Sequence, residues 1–162
     1  MKIKETPIEG LHLIELVPIC DTRGYFSRHL CMETLKKHGL EMEICQTSIA
    51  FNVTRDTIRG LHYQAKPFEE IKIVSCLRGV IFDVVYDNRP KSPTYKQIFT
   101  TELSTFDMLY IPKGCAHGYQ TQTDNCLVHY YMSSPYNKKS AREIGWWNLD
   151  IPWPLPKPRT NT

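Results

Sequence analysis

The sequence predicts an all-β chain, an antiparallel sandwich or barrel of the jelly-roll kind. Three observations carry this reading: many short strand-like runs from residue 43 onward, Gly, Pro, Asn or Asp breaks between them, and little helix. In order, residues 11–17 (Leu11-His12-Leu13-Ile14-Glu15-Leu16-Val17) alternate as a strand does and stop at Pro18. Asp21-Thr22-Arg23-Gly24 is turn chemistry, after which Tyr25-Phe26-Ser27-Arg28 resumes an extended run. The one convincing helix covers residues 31–38, with Met32 and Leu35 apolar, Lys36 and Lys37 near its end, and Gly39 at C′. Residues 43–53, 71–77, 80–86, 95–103, 108–111, 119–121 and 126–133 are expected strands. Asp87-Asn88-Arg89-Pro90 and Pro112-Lys113-Gly114 are the clearest breaks among them.

At 162 residues the chain is expected to form one domain, with a proline-rich, irregular tail from about 152 whose last residues are loose. The apolar runs are far too short for a bilayer helix, and the opening Met1-Lys2-Ile3-Lys4-Glu5 lacks the apolar core of a signal peptide. A cytoplasmic address is expected. The net charge of +3 comes from 20 basic and 17 acidic residues that are mixed along the chain, with no basic run longer than a pair. That argues against a nucleic-acid surface, and the short apolar runs argue against a membrane partner. Six scattered cysteines with no CxxC pair read as free, mostly buried thiols.

The chemistry-bearing stretch is Ile58-Arg59-Gly60-Leu61-His62-Tyr63-Gln64. On a strand, residues two apart share a face, so His62 and Gln64 point together, and a kink at Gly60 would add Arg59. Set between Leu61 and Tyr63, this polar face is expected to line a pocket, the alternative being a hydrogen-bonded histidine in a packed strand. Lys72 between isoleucines, Asp83 within Ile81-Phe82-Asp83-Val84-Val85, and His117 within Cys115-Ala116-His117-Gly118-Tyr119 also break apolar pattern. Asp83 is costly to bury alone, and His117 is its expected partner. Tyr130 shares a face with Val128 and Met132 and opposes His129 and Tyr131, but the pattern does not choose which face is inward. A histidine base, an ammonium for developing negative charge and a phenol as acid suit proton abstraction beside a carbonyl. A metal alternative would use His62, Glu69 or Glu70, and His117, with Gln64 a poor stand-in for a second imidazole.

Four stretches then resemble the dTDP-4-dehydrorhamnose 3,5-epimerase family: Arg59 to Gln64, Gly79 to Arg89, Ser92-Pro93-Thr94-Tyr95, and Ile111 to Tyr119. They stand in register from about Asp21 to Pro154. The resemblance implies a cupin-type double-stranded β-helix (jelly roll) with short peripheral helices, a homodimer, no metal or other cofactor, and a nucleotide-linked 4-keto-6-deoxyhexose as substrate. It implies that His62 is the general base, Tyr130 the general acid, and Lys72 the residue that stabilises the enolate. Tyr136, six residues after Tyr130, matches an aromatic that stacks on the nucleobase. Arg23 and Arg59 match phosphate-side contacts, Gln46, Gln64 and His117 substrate-lining positions, and Asp83 the carboxylate supporting His117. Departures occur at Arg28, where thymidine-specific members carry glutamate, and at Gln46-Thr47-Ser48, where they carry Gln-x-Asn. These leave dTDP-, CDP- and GDP-linked sugars all open. The family's closing aspartate beside the catalytic histidine also has no counterpart, since no acid follows Asp150. The implied reaction is epimerisation at C3, C5 or both, in deoxysugar and cell-surface polysaccharide synthesis. The alternatives are a catalytically weak or idle sugar-nucleotide binder and a metal-dependent cupin oxygenase.

Overall fold

The computed structural model describes residues 1–155. Thirteen strands are recorded there: β1 Lys2–Glu5, β2 His12–Glu15, β3 Ile19–Asp21, β4 Gly24–Phe26, β5 Gln46–Asn52, β6 Ile58–Gln64, β7 Lys72–Arg78, β8 Ile81–Asp87, β9 Ile98–Leu103, β10 Asp107–Ile111, β11 Cys115–Thr121, β12 Cys126–Met132 and β13 Ala141–Glu143. One α-helix, α1 Met32–Lys37, follows β4, and a single 3₁₀ turn, Trp146–Asn148, follows β13. A six-stranded sheet in the order β1-β2-β10-β7-β12-β5 faces a five-stranded sheet in the order β13-β6-β11-β8-β9. Every pairing is antiparallel, and β3 and β4 form a separate hairpin. This is the expected cupin-type jelly roll.

Period-two alternation builds three apolar layers. Val74 and Cys76 on β7, Ile81 and Val85 on β8, Tyr119 on β11 and Val128 on β12 pack between the sheets. Their alternates face outward. Ile73 and Met108 pack under Leu35 of α1, while Leu61, Val84 and Ala116 lie under Trp146 and Trp153. Residues sharing parity with the inner set must therefore enter the interior, which places Lys72, Asp83, His117 and Tyr130 inside.

A buried network fixes one end of the five-stranded sheet, and a glycine contact sets the spacing within it. Asp87, fully buried, accepts from Arg89 Nε at 2.8 Å, Ser92 Oγ at 2.6 Å and Thr94 Oγ1 at 2.6 Å, which ties the β8–β9 connection to the end of β8. Burial alone would push its carboxyl up, but these donors together hold it well below the usual carboxylate range. At the other site, Gly60 sits at φ +109°, and a Cβ there would lie 2.6 Å from both Gly118 Cα and His117 O. With glycine on each strand, β6 and β11 approach closely and their register slips between His117 and Tyr119.

Some elements differ from the sequence expectation. β11 begins at Cys115 rather than 119, because the strand carries small and polar residues, Ala116, His117 and Gly118, that lack strand character taken alone. β1 and β13 were not anticipated, being too short to show alternation. The cysteines divide evenly: Cys76, Cys115 and Cys126 are buried, Cys31 is half-buried, and Cys20 and Cys45 are exposed, all six free. Residues 152–153 carry no regular structure and 154–155 form a bend, while the rest of the proline-rich tail lies outside the described residues. Among the described residues no helix is long and apolar enough to cross a membrane.

Candidate active site

A cavity of about 580 Å³ opens between the two sheets, within the size range of small-molecule sites. Two cross-strand rows form its walls. On the five-stranded sheet, Glu143, His62 and His117 stand side by side on β13, β6 and β11. On the six-stranded sheet, Lys72, Met132 and Gln46 form the matching row on β7, β12 and β5, with Tyr130 and Ser48 paired on the next inward-facing row. All eight line the cavity, so His62 and Tyr130 meet it from opposite layers.

The local glycine geometry explains how Arg59 and His62, three apart, come to the same interior. The slip at Gly60 changes the parity of β6, as expected of a kink there. Arg59 itself is not on the cavity wall. Its Nε donates to Asn52 Oδ1 at 2.7 Å, and Asn52 Nδ2 in turn donates to the Tyr119 hydroxyl at 3.1 Å. Behind Tyr130 this network forms a polar floor: burial first, then the neighbouring Tyr119 phenol, pushes the Tyr130 hydroxyl well above its ordinary value. Tyr130 therefore stays a protonated donor.

His62 is exposed to the cavity mouth. Partial burial lowers its pKa, Glu143 acts against that, and Lys72, His117 and Arg59 lower it further. The imidazole is thus neutral and basic at pH 7. His117 is only 4% exposed, with Nε2 2.8 Å from Asp83 Oδ2. A carboxylate can only accept, so Nε2 carries the proton and Nδ1 is left for the cavity. The ring also stands edge-on to Tyr130, centroids 6.2 Å apart. The pairing of Asp83 with His117 is as the sequence predicted.

Lys72 is nearly buried, with Nζ 3.0 Å from Glu70 Oε1 and 3.3 Å from the His62 carbonyl. Glu70 also accepts from Gln64 Nε2 at 3.2 Å. Gln64 lines the cavity, but its amide is engaged by the protein: Nε2 also donates to Phe68 O and Pro135 O, and Oε1 accepts from Asn137 N at 2.6 Å. Gln64 is therefore a scaffold residue as much as a wall. Tyr136 lies at the rim, 66% exposed, its backbone N–H held by Gln46 Oε1 at 3.0 Å. A flat ring fixed by its main chain and open to solvent offers a face for stacking.

Arg23 and Arg28 stand elsewhere. Arg23 pairs with Asp21 at 2.6 Å in the β3–β4 hairpin with its side chain 88% exposed, and neither arginine lines its own chain's cavity. Of the two acids in the metal alternative, Glu70 is held by Lys72 and Gln64, and Glu69 does not line the cavity. Among the described residues no three His, Cys, Asp or Glu side chains gather to hold an ion. Sequence reasoning missed Glu143 and Arg142 on the wall, the pairing of Glu70 with Lys72 there, and the roles of Asn52 and Tyr119 behind it. Of these, only Glu70 was singled out in the sequence, as a candidate metal ligand.

An antiparallel jelly roll with imidazole, ammonium and phenol converging on one cavity is an enzyme built for proton transfer. The profile for dTDP-4-dehydrorhamnose 3,5-epimerase matches residues 5–161, and the chain belongs to that family. The dTDP-4-dehydrorhamnose 3,5-epimerase of Methanothermobacter thermautotrophicus is 35% identical over 156 residues, covering 93% of this chain and 83% of the relative. The crystal structure of the Bacillus anthracis enzyme with TDP and PPi bound superposes with a TM-score of 0.95 at 32% identity, covering 99% of this chain and 94% of that one. The Legionella pneumophila enzyme in complex with dTDP-4-keto-L-rhamnose gives a TM-score of 0.92 at 30% identity, covering 99% and 87%.

Proposed function

We propose that this protein epimerises a nucleoside-diphosphate-linked 4-keto-6-deoxyhexose at C3, C5 or both, without a cofactor, in deoxysugar synthesis. The observation that carries the reading is the placement of His62 and Tyr130 on opposite sheets around one cavity, with Lys72 beside them. Neutral His62 takes the proton from the carbon next to the keto group, and the C–H electron pair moves into an enolate. The Lys72 ammonium stabilises that oxyanion in a site where water is scarce. Tyr130 then gives its phenolic proton to the opposite face of the same carbon, inverting it. The Tyr130 oxygen recovers a proton from solvent and His62 releases one, so the cycle closes.

Tyr136 at the rim receives the nucleobase. Of dTDP-, CDP- and GDP-linked sugars, dTDP is the first to test, since the relatives' structures hold TDP and a dTDP-sugar. We further propose a homodimer. Ile19, Tyr25 and Phe26 on the hairpin, and Ile49, Phe51 and Val53 along the β5 edge of the sheet, are each more than half exposed, an apolar surface suited to a second copy. Arg23 and Arg28, absent from their own cavity, can reach a diphosphate only from such a partner. Six free thiols accord with the reducing cytoplasm, where we place the activity.

The test is turnover in deuterated water with each of the three 4-keto sugar nucleotides. Deuterium entering C3 or C5, lost in His62→Ala, is the expected result. No exchange with any of them, or exchange that survives His62→Ala, overturns the proposal.

A further inference from the structure

The fold sets beside His62 a carboxylate that the sequence pattern did not reveal. β13 runs against β6 with Ala141 opposite Gln64, Arg142 opposite Tyr63 and Glu143 opposite His62. Residues directly opposite in an antiparallel pair project from the same face with Cβ atoms about 4.5–5.5 Å apart. Glu143 and His62 also line the same cavity.

Of the three carboxylates near the site, two are spoken for. Asp83 is bound to His117 at 2.8 Å and Glu70 to Lys72 at 3.0 Å. Glu143 forms no ion pair among the described residues, and its neighbour Arg142 donates instead to the Lys139 and Ala141 carbonyls. The other groups facing His62 are Lys72 on β7, His117 on β11, Arg59 on β6 and, across the cavity, Tyr130 on β12. Except for the neutral phenol, each of these opposes a positive charge on the ring. Glu143 alone favours one.

We propose that Glu143 is the positioning residue of His62: from the adjacent strand its carboxylate holds the imidazole toward the sugar and steadies the imidazolium formed when the proton is taken. The proposal rests on the epimerase reading for its kinetic consequence, though not for the contact itself. Bound substrate displaces water from the cavity mouth, so the attraction strengthens at the moment the ring becomes charged.

Glu143 is exposed, so Glu143→Gln leaves the fold intact, which a thermal melt checks. In Glu143→Gln the NMR titration midpoint of the His62 ring, assigned by its loss in His62→Asn, falls by about 0.5–1, as expected for one solvated charge at this range. Glu143→Asp keeps most of the wild-type value. With a dTDP-linked 4-keto-6-deoxyhexose, kcat for deuterium exchange falls at least about tenfold in Glu143→Gln while KM stays within about twofold, and the acid limb of the pH profile moves down with the midpoint. An unmoved His62 midpoint, or a kcat within about twofold of wild type, overturns the proposal. If the wild type shows no exchange, the epimerase reading fails while the titration still judges the Glu143–His62 pair.

Discussion

Replacing Lys72 by methionine separates two effects that the structure joins in one side chain. In the proposed mechanism the ammonium is the cation on the developing oxyanion, and removing one such donor from a site of this kind costs about 10²–10³ in rate, or about 3–4 kcal/mol of barrier. The same change strands Glu70, whose side chain is 7% exposed, without its counter-charge. Breaking a buried pair from one side costs about 3–5 kcal/mol, and because Glu70 keeps the Gln64 amide we expect about 3. For a chain of this length that lowers Tm by about 6–12 °C. The double variant Glu70→Gln/Lys72→Met removes the orphaned charge, so stability returns toward wild type while the rate stays down. Calorimetry gives the first quantity and deuterium exchange by NMR the second. A Lys72→Met enzyme within about threefold of wild-type rate, or a double variant that regains activity along with stability, would refute the oxyanion role.

Tyr130→Phe should still exchange the abstracted proton through His62 but return it from the same side, so deuterium enters with retention while inverted product falls at least about a hundredfold, read from the C5 and C3 couplings. Asp87→Asn disrupts the bonds from Arg89, Ser92 and Thr94 and should cost about 3–5 kcal/mol in urea titrations, with catalysis per folded molecule unchanged; under about 1 kcal/mol would contradict the network. His29, His62 and His129 all bind protons more weakly folded than unfolded, chiefly through burial, with His129 adding to the effect on His29. Below their unfolded value of about 6.5 the unfolded chain takes up more protons, so Tm should fall as pH drops from about 7 to 5 and be level above about 7.5. A double His29→Gln/His129→Gln variant should flatten that slope.

The jelly roll was legible because most strands alternate over six or seven residues, long enough for inner and outer sets to declare themselves, as in Lys72–Arg78 and Ile81–Asp87. The polar exceptions to those sets, Lys72, Asp83 and His117, located the interior chemistry. The face of β12 was undecidable until its neighbours were known. Tyr130 and Tyr131 have equal claims by composition, and what separates them is Val74 and Val128 within the core against Leu35 and His29 outside it. Glu143 was invisible because three residues cannot show a period and because its importance comes from pairing with a strand some eighty positions earlier. Arg23 was placed by motif and Arg28 by its departure from one, and neither says whether a side chain reaches its own chain's cavity.

His62 and Tyr130 ride on separate layers, and neither strand alone sets the span between them. That span is held by the filling of the sandwich, by Val74 and Val128 from one side and Val85 and Tyr119 from the other. Trimming a methyl group there, well away from any sugar, would let the two walls settle toward each other and change the distance a proton has to be carried. If the proposed mechanism holds, turnover and thermal resilience are tuned by the same aliphatic spacers.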